Sequence, residues 1–194
     1  PEGVNCVFIR QSEALGLGHA VLCAEAAVGN EPFAVILPDD LIDNDGDNCM
    51  QQMVAVYDKH QGSVIGTQTV DISESNKYGM VAGPKVEDRL AMVDEIIEKP
   101  APEEAPSDQA VVGRYILTPA ILDKLKTTKR GAGNEIQLTD DIAELRKSEE
   151  IYAYSFEGRR YDCGNKIGYL EANVEIALQH EELSADRKST RLNS

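Results

Sequence analysis

The residues best suited to chemistry in this sequence are two adjacent acids that follow an apolar run. In AVILPDDLI (34–42), Pro38 ends a predicted strand buried on both faces, and Asp39 and Asp40 follow at once. A buried carboxylate is costly unless it is paired or bound to a metal, and Mg²⁺ sites use one or two carboxylates together with substrate phosphates. A third acid, Asp162 in YDCG, follows a short predicted strand and precedes a helix. The residues alone favour a turn at 39–40 and leave open whether Asp162 lies nearby.

A second candidate motif is IIEKP, in which Glu98 and Lys99 close an apolar strand. Because neighbouring strand residues point to opposite faces, we expect these two charges not to pair with each other. Glu98 could accept hydrogen bonds from hydroxyl groups while Lys99 contacts a phosphate. The alternative is that both charges simply make the end of an edge strand soluble.

A third candidate is GLGHA, where Gly16 and Gly18 lie between a predicted strand and a helix. Glycines let a backbone approach a ligand closely, and a helix N-terminus favours anions. A dinucleotide fingerprint, G-x-G-x-x-G, would need a third glycine where this chain has Val21. A nicotinamide site is therefore disfavoured, and a plain strand–helix turn remains the alternative.

The predicted strands and helices that position these motifs alternate in an α/β pattern. The first part of the chain predicts, in order, strand 4–11, helix 19–29, strand 33–40, helix 49–61 and strand 63–70. Alternating strands and helices are typical of a mostly parallel sheet with helices on its faces. Ligands in such sheets bind beyond the carboxyl ends of the strands. Asp39 and Asp40 stand at such an end.

The second part of the chain has a different pattern. It predicts a β-hairpin over 80–100, a loop rich in proline and acid, a strand over 109–117 and several helices. The last helix, 165–183, has a strong amphipathic period. Residues 184–194 have no apolar period and reverse the charge balance, so we expect a disordered or foreign tail.

Composition narrows the classes of protein. The 194 residues are enough for one domain with a sizeable core. With 34 acidic residues against 19 Lys and Arg, and a net charge of −15, nucleic acid is excluded as a main partner. No apolar run approaches the roughly 20 residues that cross a bilayer. The four cysteines form no C-x-x-C pair, which favours reduced thiols in the cytoplasm.

Read together, the motifs form an ordered series. After Gln11 come GLGHA, LPDD, Tyr78-Gly79, IIEKP, VVGRYIL, NEIQLTD and YDCG. The series closely resembles the bacterial UTP–glucose-1-phosphate uridylyltransferases, within the sugar-1-phosphate nucleotidylyltransferases, from about Val4 to Leu183. The resemblance implies a Rossmann-like α/β fold of the nucleotide-diphospho-sugar transferase type, with a mostly parallel sheet, flanking helices, a β-hairpin sugar-binding part and C-terminal helices. It also implies transfer of a uridylyl group from UTP to glucose 1-phosphate.

The resemblance assigns roles to particular residues. Gln11 and Gly16 would contact the uracil ring, and Asp39 and Asp162 would bind Mg²⁺. The glucose pocket would be lined by Gly79, Glu98 and Gly113, with Glu98 on the sugar hydroxyls. Lys99 would hold the sugar phosphate. Asp40 is expected to be only a supporting residue.

The chain also departs from the family pattern. Members begin with a strand and a loop, roughly G-x-G-T-R-x-x-P, followed by a Pro-Lys segment, and these enclose the triphosphate. This sequence starts after them, so we expect residues 1–183 to be an N-terminally truncated nucleotidyltransferase domain with little activity alone. The resemblance suggests a cytoplasmic homo-oligomer. The alternatives are a relative that uses another sugar or base, such as thymidine, and a non-catalytic sugar-nucleotide-binding module.

Overall fold

The computed structural model describes residues 3–180 and residue 183, so the predicted tail 184–194 lies outside the described residues. The helices are α1 (Leu17–Cys23), α2 (Glu25–Val28), α3 (Cys49–His60), α4 (Ala120–Leu125), α5 (Leu138–Leu145) and α6 (Lys166–Gln179). The first strands are β1 (Phe33–Ile36), β2 (Asp40–Asp43), β3 (Ser63–Thr69), β4 (Gly79–Ala82) and β5 (Lys85–Glu87). The later strands are β6 (Leu90–Met92), β7 (Glu95–Glu98), β8 (Gln109–Leu117), β9 (Ile151–Ser155) and β10 (Arg159–Asp162).

The described strands form one large sheet and one small ribbon. The large sheet has the order β5-β6-β9-β3-β8-β4-β7, and β1 pairs with β8 beside β4. The ribbon consists of β2 and β10 and is a sheet of its own. The predicted hairpin over 80–100 contains four short strands, β4 to β7, of which β5 pairs with β6 and β4 with β7.

The predicted α/β class is confirmed, but the prediction of a mostly parallel sheet is wrong for the described strands. Only β3 and β9 run parallel in the large sheet; its other pairs are antiparallel. The reason is β8, which lies between β1 and β3 and runs antiparallel to both. The helical crossover does give β1 and β3 the same direction, as predicted. A strand from later in the chain separates them.

The sheet is covered by helices on both faces because side chains alternate along its strands. On β3, Val64 packs with Met53 of α3, whereas Ile65 belongs to the cluster beneath α1, α4 and α5. On β8, Ile116 and Leu117 divide between the two clusters in the same way. Two apolar cores therefore lie on opposite sides of one sheet. None of the helices in the described residues has both the length and the apolar character needed to cross a bilayer.

Two strand predictions near the amino end are wrong. Residues 4–11 form no strand, and Val7 and Phe8 are 75% and 97% exposed. An extended segment becomes a strand only when a neighbour takes its backbone N–H and C=O groups, and no described strand pairs with this one. Strand β1 is not buried on both faces either, since Ile36 is 55% exposed. Its only pairing partner among the described residues is β8.

Candidate active site

The structure brings together the two carboxylates predicted to bind metal. Asp162 ends β10, its register partner across the ribbon is Asp40, and Asp39 lies immediately before β2. A Cβ atom built on Gly164 would lie 3.0 Å from Asp162 Oδ1 and 3.1 Å from Asp39 Oδ2. The N–H of Cys163 donates to the carbonyl of Asp39 at 2.7 Å, which holds the two chain segments side by side. Two acids far apart in sequence therefore face one small space over a glycine.

The chemistry of this pair suits a hard divalent cation. Asp39 is exposed, and Asp162 Oδ1 accepts one hydrogen bond, from the N–H of Gly164 at 3.0 Å. Both carboxylates therefore keep lone pairs for a ligand. Within residues 3–180 and 183, no group of three or more His, Cys, Asp or Glu side chains is placed to hold a metal ion. Such a pair matches Mg²⁺, which takes one or two carboxylates and fills its other positions with water and substrate phosphates.

Asp40 differs from Asp39 in its surroundings. Its side chain is buried, with Oδ2 accepting a hydrogen bond from the N–H of Gly113 at 2.9 Å. Its Oδ1 forms an ion pair with Nε of Arg160, whose side chain is also buried. The adjacent acids therefore divide their tasks: one faces solvent, and the other is a paired interior group. Sequence reasoning left Asp40 without a specific partner.

Gly113 lies against the LPDD turn. A Cβ atom on this glycine would lie 2.5 Å from Leu37 Cβ and 2.6 Å from Asp40 Oδ2. No side chain fits at those distances without moving the turn, because Cβ contacts below about 3 Å are essentially never seen. The glycine is required by the packing of this turn, in addition to its predicted place in a glucose pocket.

Gly79 and Glu98 form a register pair between β4 and β7. A Cβ atom on Gly79 would lie 3.2 Å from Glu98 Oε2 and 3.2 Å from Thr139 Oγ1. The carboxylate of Glu98 therefore lies across the face of this glycine, beside a hydroxyl group from α5. This arrangement offers acceptors, with Thr139 as a further donor, for the hydroxyls of a small polar ligand.

The expectation that Glu98 and Lys99 would not pair is wrong. Lys99 Nζ lies 3.3 Å from Glu98 Oε1. The reason is the backbone: β7 ends at Glu98, and Lys99 has a φ of 48°, so the strand alternation that would separate the two side chains does not apply. Glu98 is 12% exposed at its side chain and Lys99 is 52% exposed, which leaves the ammonium group open to an anionic ligand.

The predicted nucleotide residues are also brought together. Gln11 Nε2 donates to the carbonyl of Gly16 at 3.1 Å and lies 2.9 Å from His19 Nδ1. Gly16 has a φ of 101°, and a Cβ atom there would lie 2.8 Å from the carbonyl oxygen of Ile136. The same oxygen accepts a hydrogen bond from the N–H of Gly18 at 2.9 Å. The glycines of GLGHA thus allow the loop to pack closely against the NEIQLTD segment.

Three contacts connect the three groups of predicted residues. The guanidinium of Arg160, paired with Asp40, lies 5.2 Å from the ring centroid of Tyr78, next to Gly79. The NEIQLTD segment contacts Gly16 through Ile136 and Gly79 through Thr139. The carboxylate pair, the Glu98 side and the glycine loop therefore share neighbours.

The NEIQLTD motif ends in Asp140 and is followed directly by Asp141, two acids for which the sequence predicted no role. Burial, together with the charge of Glu98, raises the pKa of Asp140. Asp141 is fully buried; its Oδ1 accepts a hydrogen bond from the hydroxyl of Thr128. Its Oδ2 is the only buried side-chain oxygen or nitrogen in the described part of the chain without a hydrogen-bond partner. The missed signal was two adjacent acids at the start of a predicted amphipathic helix.

We expect Asp141→Asn to flatten the pH dependence of stability. Burial raises the pKa of Asp141, so the folded state holds this proton more tightly than the unfolded state. Its contribution to stability is present below the unfolded pKa of about 3.9 and is lost as pH rises through the folded pKa. Urea unfolding between about pH 4 and pH 7 should therefore show a larger loss of stability in the wild-type protein than in Asp141→Asn. Equal losses in the two proteins would contradict this. Glu171→Gln, at an exposed acid on α6, is the control.

Comparison with known proteins adds to this geometry. A family model described as nucleotidyl transferase matches residues 2–179. The chain is 44% identical over 185 residues to a UTP–glucose-1-phosphate uridylyltransferase from Staphylococcus epidermidis, covering 95% of this chain and 64% of that protein. The chain therefore spans less than two-thirds of the length of this curated relative.

Solved structures agree with the family match. A UDP-glucose pyrophosphorylase complexed with UDP-glucose superposes with a TM-score of 0.87 at 44% identity, covering 90% of this chain and 66% of that chain. A UTP-bound UGPase from Acinetobacter baumannii superposes with a TM-score of 0.86 at 39% identity, covering 98% of this chain and 66% of that chain. These matches confirm the predicted type of α/β fold, and the chain belongs to the nucleotidyl transferase family.

Proposed function

We propose that the protein transfers a uridylyl group from UTP to glucose 1-phosphate, giving UDP-glucose and pyrophosphate. The observation that carries this proposal is the carboxylate pair, Asp39 and Asp162, facing one space over Gly164. A pure binding site for a sugar nucleotide does not require such a pair, whereas phosphoryl chemistry benefits from a metal ion. The names of the relatives identify the base and the sugar that this proposal adopts.

The proposed reaction makes modest demands on acid–base groups. A phosphate oxygen of glucose 1-phosphate attacks the α-phosphorus of UTP, and pyrophosphate leaves. Because the attacking group is already an anion, no strong general base is needed. Catalysis then depends on positioning and on the stabilisation of charge. Asp39 and Asp162 would hold Mg²⁺, which when bound neutralises the phosphate charge that builds up as the two anions meet.

Two residues on the proposed sugar side, Glu98 and Lys99, would orient glucose 1-phosphate. Glu98 is mostly buried, and its carboxylate, which lies beside Gly79 and Thr139, can accept hydrogen bonds from glucose hydroxyls. Lys99 lies beside it, with an exposed ammonium group that can bind the sugar phosphate. Because the left-handed backbone at Lys99 places its side chain beside Glu98, one turn can contact both ends of a sugar phosphate.

On the proposed nucleotide side, the uracil ring would contact the side chain of Gln11 and the backbone at Gly16. Gly16 carries no side chain at a position where the loop bends sharply, and the amide of Gln11 lies against its carbonyl. An amide side chain and a closely approaching glycine backbone are suitable partners for the polar edge of a uracil ring. This arrangement supports the proposed contact of Gln11 and Gly16 with the base.

We also propose a homo-oligomer in the cytoplasm that takes part in carbohydrate metabolism. In support of an oligomer, Ile167 and Leu170 on α6 are 71% and 61% exposed, an apolar surface suited to contact with another subunit. In support of the cytoplasm, all four cysteines are free thiols.

The direct test is an assay of the full-length gene product with Mg²⁺, UTP and glucose 1-phosphate, with UDP-glucose and pyrophosphate both measured. We expect both products in equal amounts, and their loss on chelation of Mg²⁺. A panel of UTP, TTP, glucose 1-phosphate and galactose 1-phosphate determines the base and the sugar. A preference for TTP would contradict the uridylyl assignment. Binding of UDP-glucose without any turnover would favour the non-catalytic module.

A further inference from the structure

The ribbon that carries the carboxylate pair is separate from the large sheet. β2 and β10 pair only with each other among the described strands, and Asp39 and Asp162 lie at the same end of this ribbon. Gly79 and Glu98, by contrast, belong to the large sheet. Something must therefore fix the ribbon relative to the sheet if a metal ion and a sugar phosphate are to meet with useful precision.

Asp40 makes that connection. From the first position of β2, its Oδ2 accepts a hydrogen bond from the N–H of Gly113 on β8, an interior strand of the large sheet. Its Oδ1 pairs with Arg160 on β10, the other strand of the ribbon. One buried carboxylate on β2 thus bonds both to β10, the other strand of the ribbon, and to the large sheet.

Two buried arginines extend the connection. Arg114 Nη1 donates to the carbonyls of Leu37 and Gly113 at 2.9 and 2.8 Å, and its Nη2 donates to the carbonyl of Asp40. The backbone on both sides of Asp39 is therefore tied to β8. Arg160 stacks over Tyr78, whose carbonyl accepts a hydrogen bond from the N–H of Lys99 at 2.9 Å. A chain of contacts runs from Asp40 to the turn that carries Lys99.

We propose that Asp40, through its ion pair with Arg160, is a positioning residue that fixes Asp39 and Asp162 at the separation required for a divalent cation. This inference rests on the proposed function, because it assigns Asp40 to the same metal-dependent site. Asp40 itself does not contact the cation. Partners of metal-binding carboxylates typically change metal affinity by about 10–100-fold when they are replaced.

The test measures the affinity of the folded full-length gene product for Mn²⁺ by electron paramagnetic resonance, with and without UTP. The variants are Asp40→Asn, Arg160→Gln and the double variant. We expect each of the three to bind Mn²⁺ about 10–100-fold more weakly than the wild-type protein. The effects should not add, because all three variants break the same ion pair.

Arg160→Gln distinguishes positioning from simple charge. If Asp40 and Arg160 acted on the cation only through their charges, loss of the positive arginine would strengthen Mn²⁺ binding. Positioning requires the opposite result, weaker binding. Equal or tighter binding of Mn²⁺ by Arg160→Gln would overturn the inference.

Folding is controlled in two ways. Asp40→Asn leaves Arg160 buried without its partner and can destabilise the chain, whereas the double variant removes both charges. Affinities are therefore measured well below the unfolding temperature of the weakest variant. The matched control is Glu175→Gln, which breaks the exposed pair between Arg159 of β10 and α6. It should keep Mn²⁺ affinity within about twofold of the wild-type value.

The outcomes separate this inference from the proposed function. If the wild-type protein binds Mn²⁺ and forms UDP-glucose while Asp40→Asn binds Mn²⁺ equally well, only the positioning role of Asp40 fails. If the wild-type protein binds no Mn²⁺, the metal assignment of the carboxylate pair fails, and the positioning role fails with it. An equal loss of affinity in Glu175→Gln would also overturn the positioning role.

Discussion

Asp39→Ala or Asp162→Asn in the full-length gene product should each lower kcat for UDP-glucose formation by about two to three orders of magnitude, with the fold retained. Both carboxylates face the space over Gly164, and a metal ion held there, as proposed, would contribute several kcal/mol of charge stabilisation in the transition state. Asparagine at 162 keeps a carbonyl oxygen that can accept the hydrogen bond from the N–H of Gly164. The loss therefore reports on charge at the metal rather than on the local turn.

The measurement is steady-state kinetics over a range of Mg²⁺ concentrations, with thermal unfolding of each variant. Asp45→Asn is the matched control, because it removes one negative charge from an exposed position near the other end of β2. Near-normal turnover in both Asp39→Ala and Asp162→Asn would contradict the metal assignment. If unfolding temperature and kcat fell together, the effect would be on folding.

Lys99→Ala is expected to raise KM for glucose 1-phosphate by about 10–100-fold, the effect of losing one hydrogen bond between charged groups. KM for UTP should change much less, because the lysine lies beside Glu98 on the sugar side. Lys99→Arg keeps the positive charge and should recover part of the affinity. Lys85→Ala is the control, since it removes an exposed lysine whose only ion pair among the described residues is with Asp88 in its own hairpin.

An equal rise in both KM values would show that Lys99 acts on the site as a whole instead of on the sugar phosphate. No change in either value would contradict its proposed role. Loss of Lys99 also leaves Glu98 without its neighbouring cation. The comparison of Glu98→Gln with Glu98→Gln/Lys99→Ala tests this, because the double variant should have a KM for glucose 1-phosphate about 10–100-fold above that of Glu98→Gln if the ammonium group itself binds the phosphate.

Features that depend on local sequence were predictable. The apolar periods of α3 and α6 gave helices close to those observed, and apolar runs located β3 and β8. The approach of Asp39 to Asp162 was anticipated through the family resemblance; the residues by themselves favoured a turn. Residue types and spacing identify which side chains could form a site. Only the fold, or a relative of known fold, shows that those side chains lie close together.

Features that depend on distant partners were not predictable. Strand β8 begins 40 residues after the end of β3 and enters the sheet between β1 and β3, so no local pattern could show that the neighbours are antiparallel. The family resemblance separated Asp39 from Asp40, but the contacts of Asp40 could not be predicted because its partners, Gly113 and Arg160, are distant in sequence. Lys99 pairs with Glu98 because of one left-handed backbone conformation.

The NEIQLTD segment has a consequence for the evolution of specificity. Ile136 packs against the glycines of the nucleotide loop, and Thr139 lies against Gly79 on the sugar side. In the proposed function, this short segment therefore provides neighbours to both the base and the sugar. Under this proposal, changes in the segment that adapt the site to a new base also lie close to the residues proposed to bind the sugar. We expect base and sugar preferences among relatives to diverge together, as linked traits, more often than one by one.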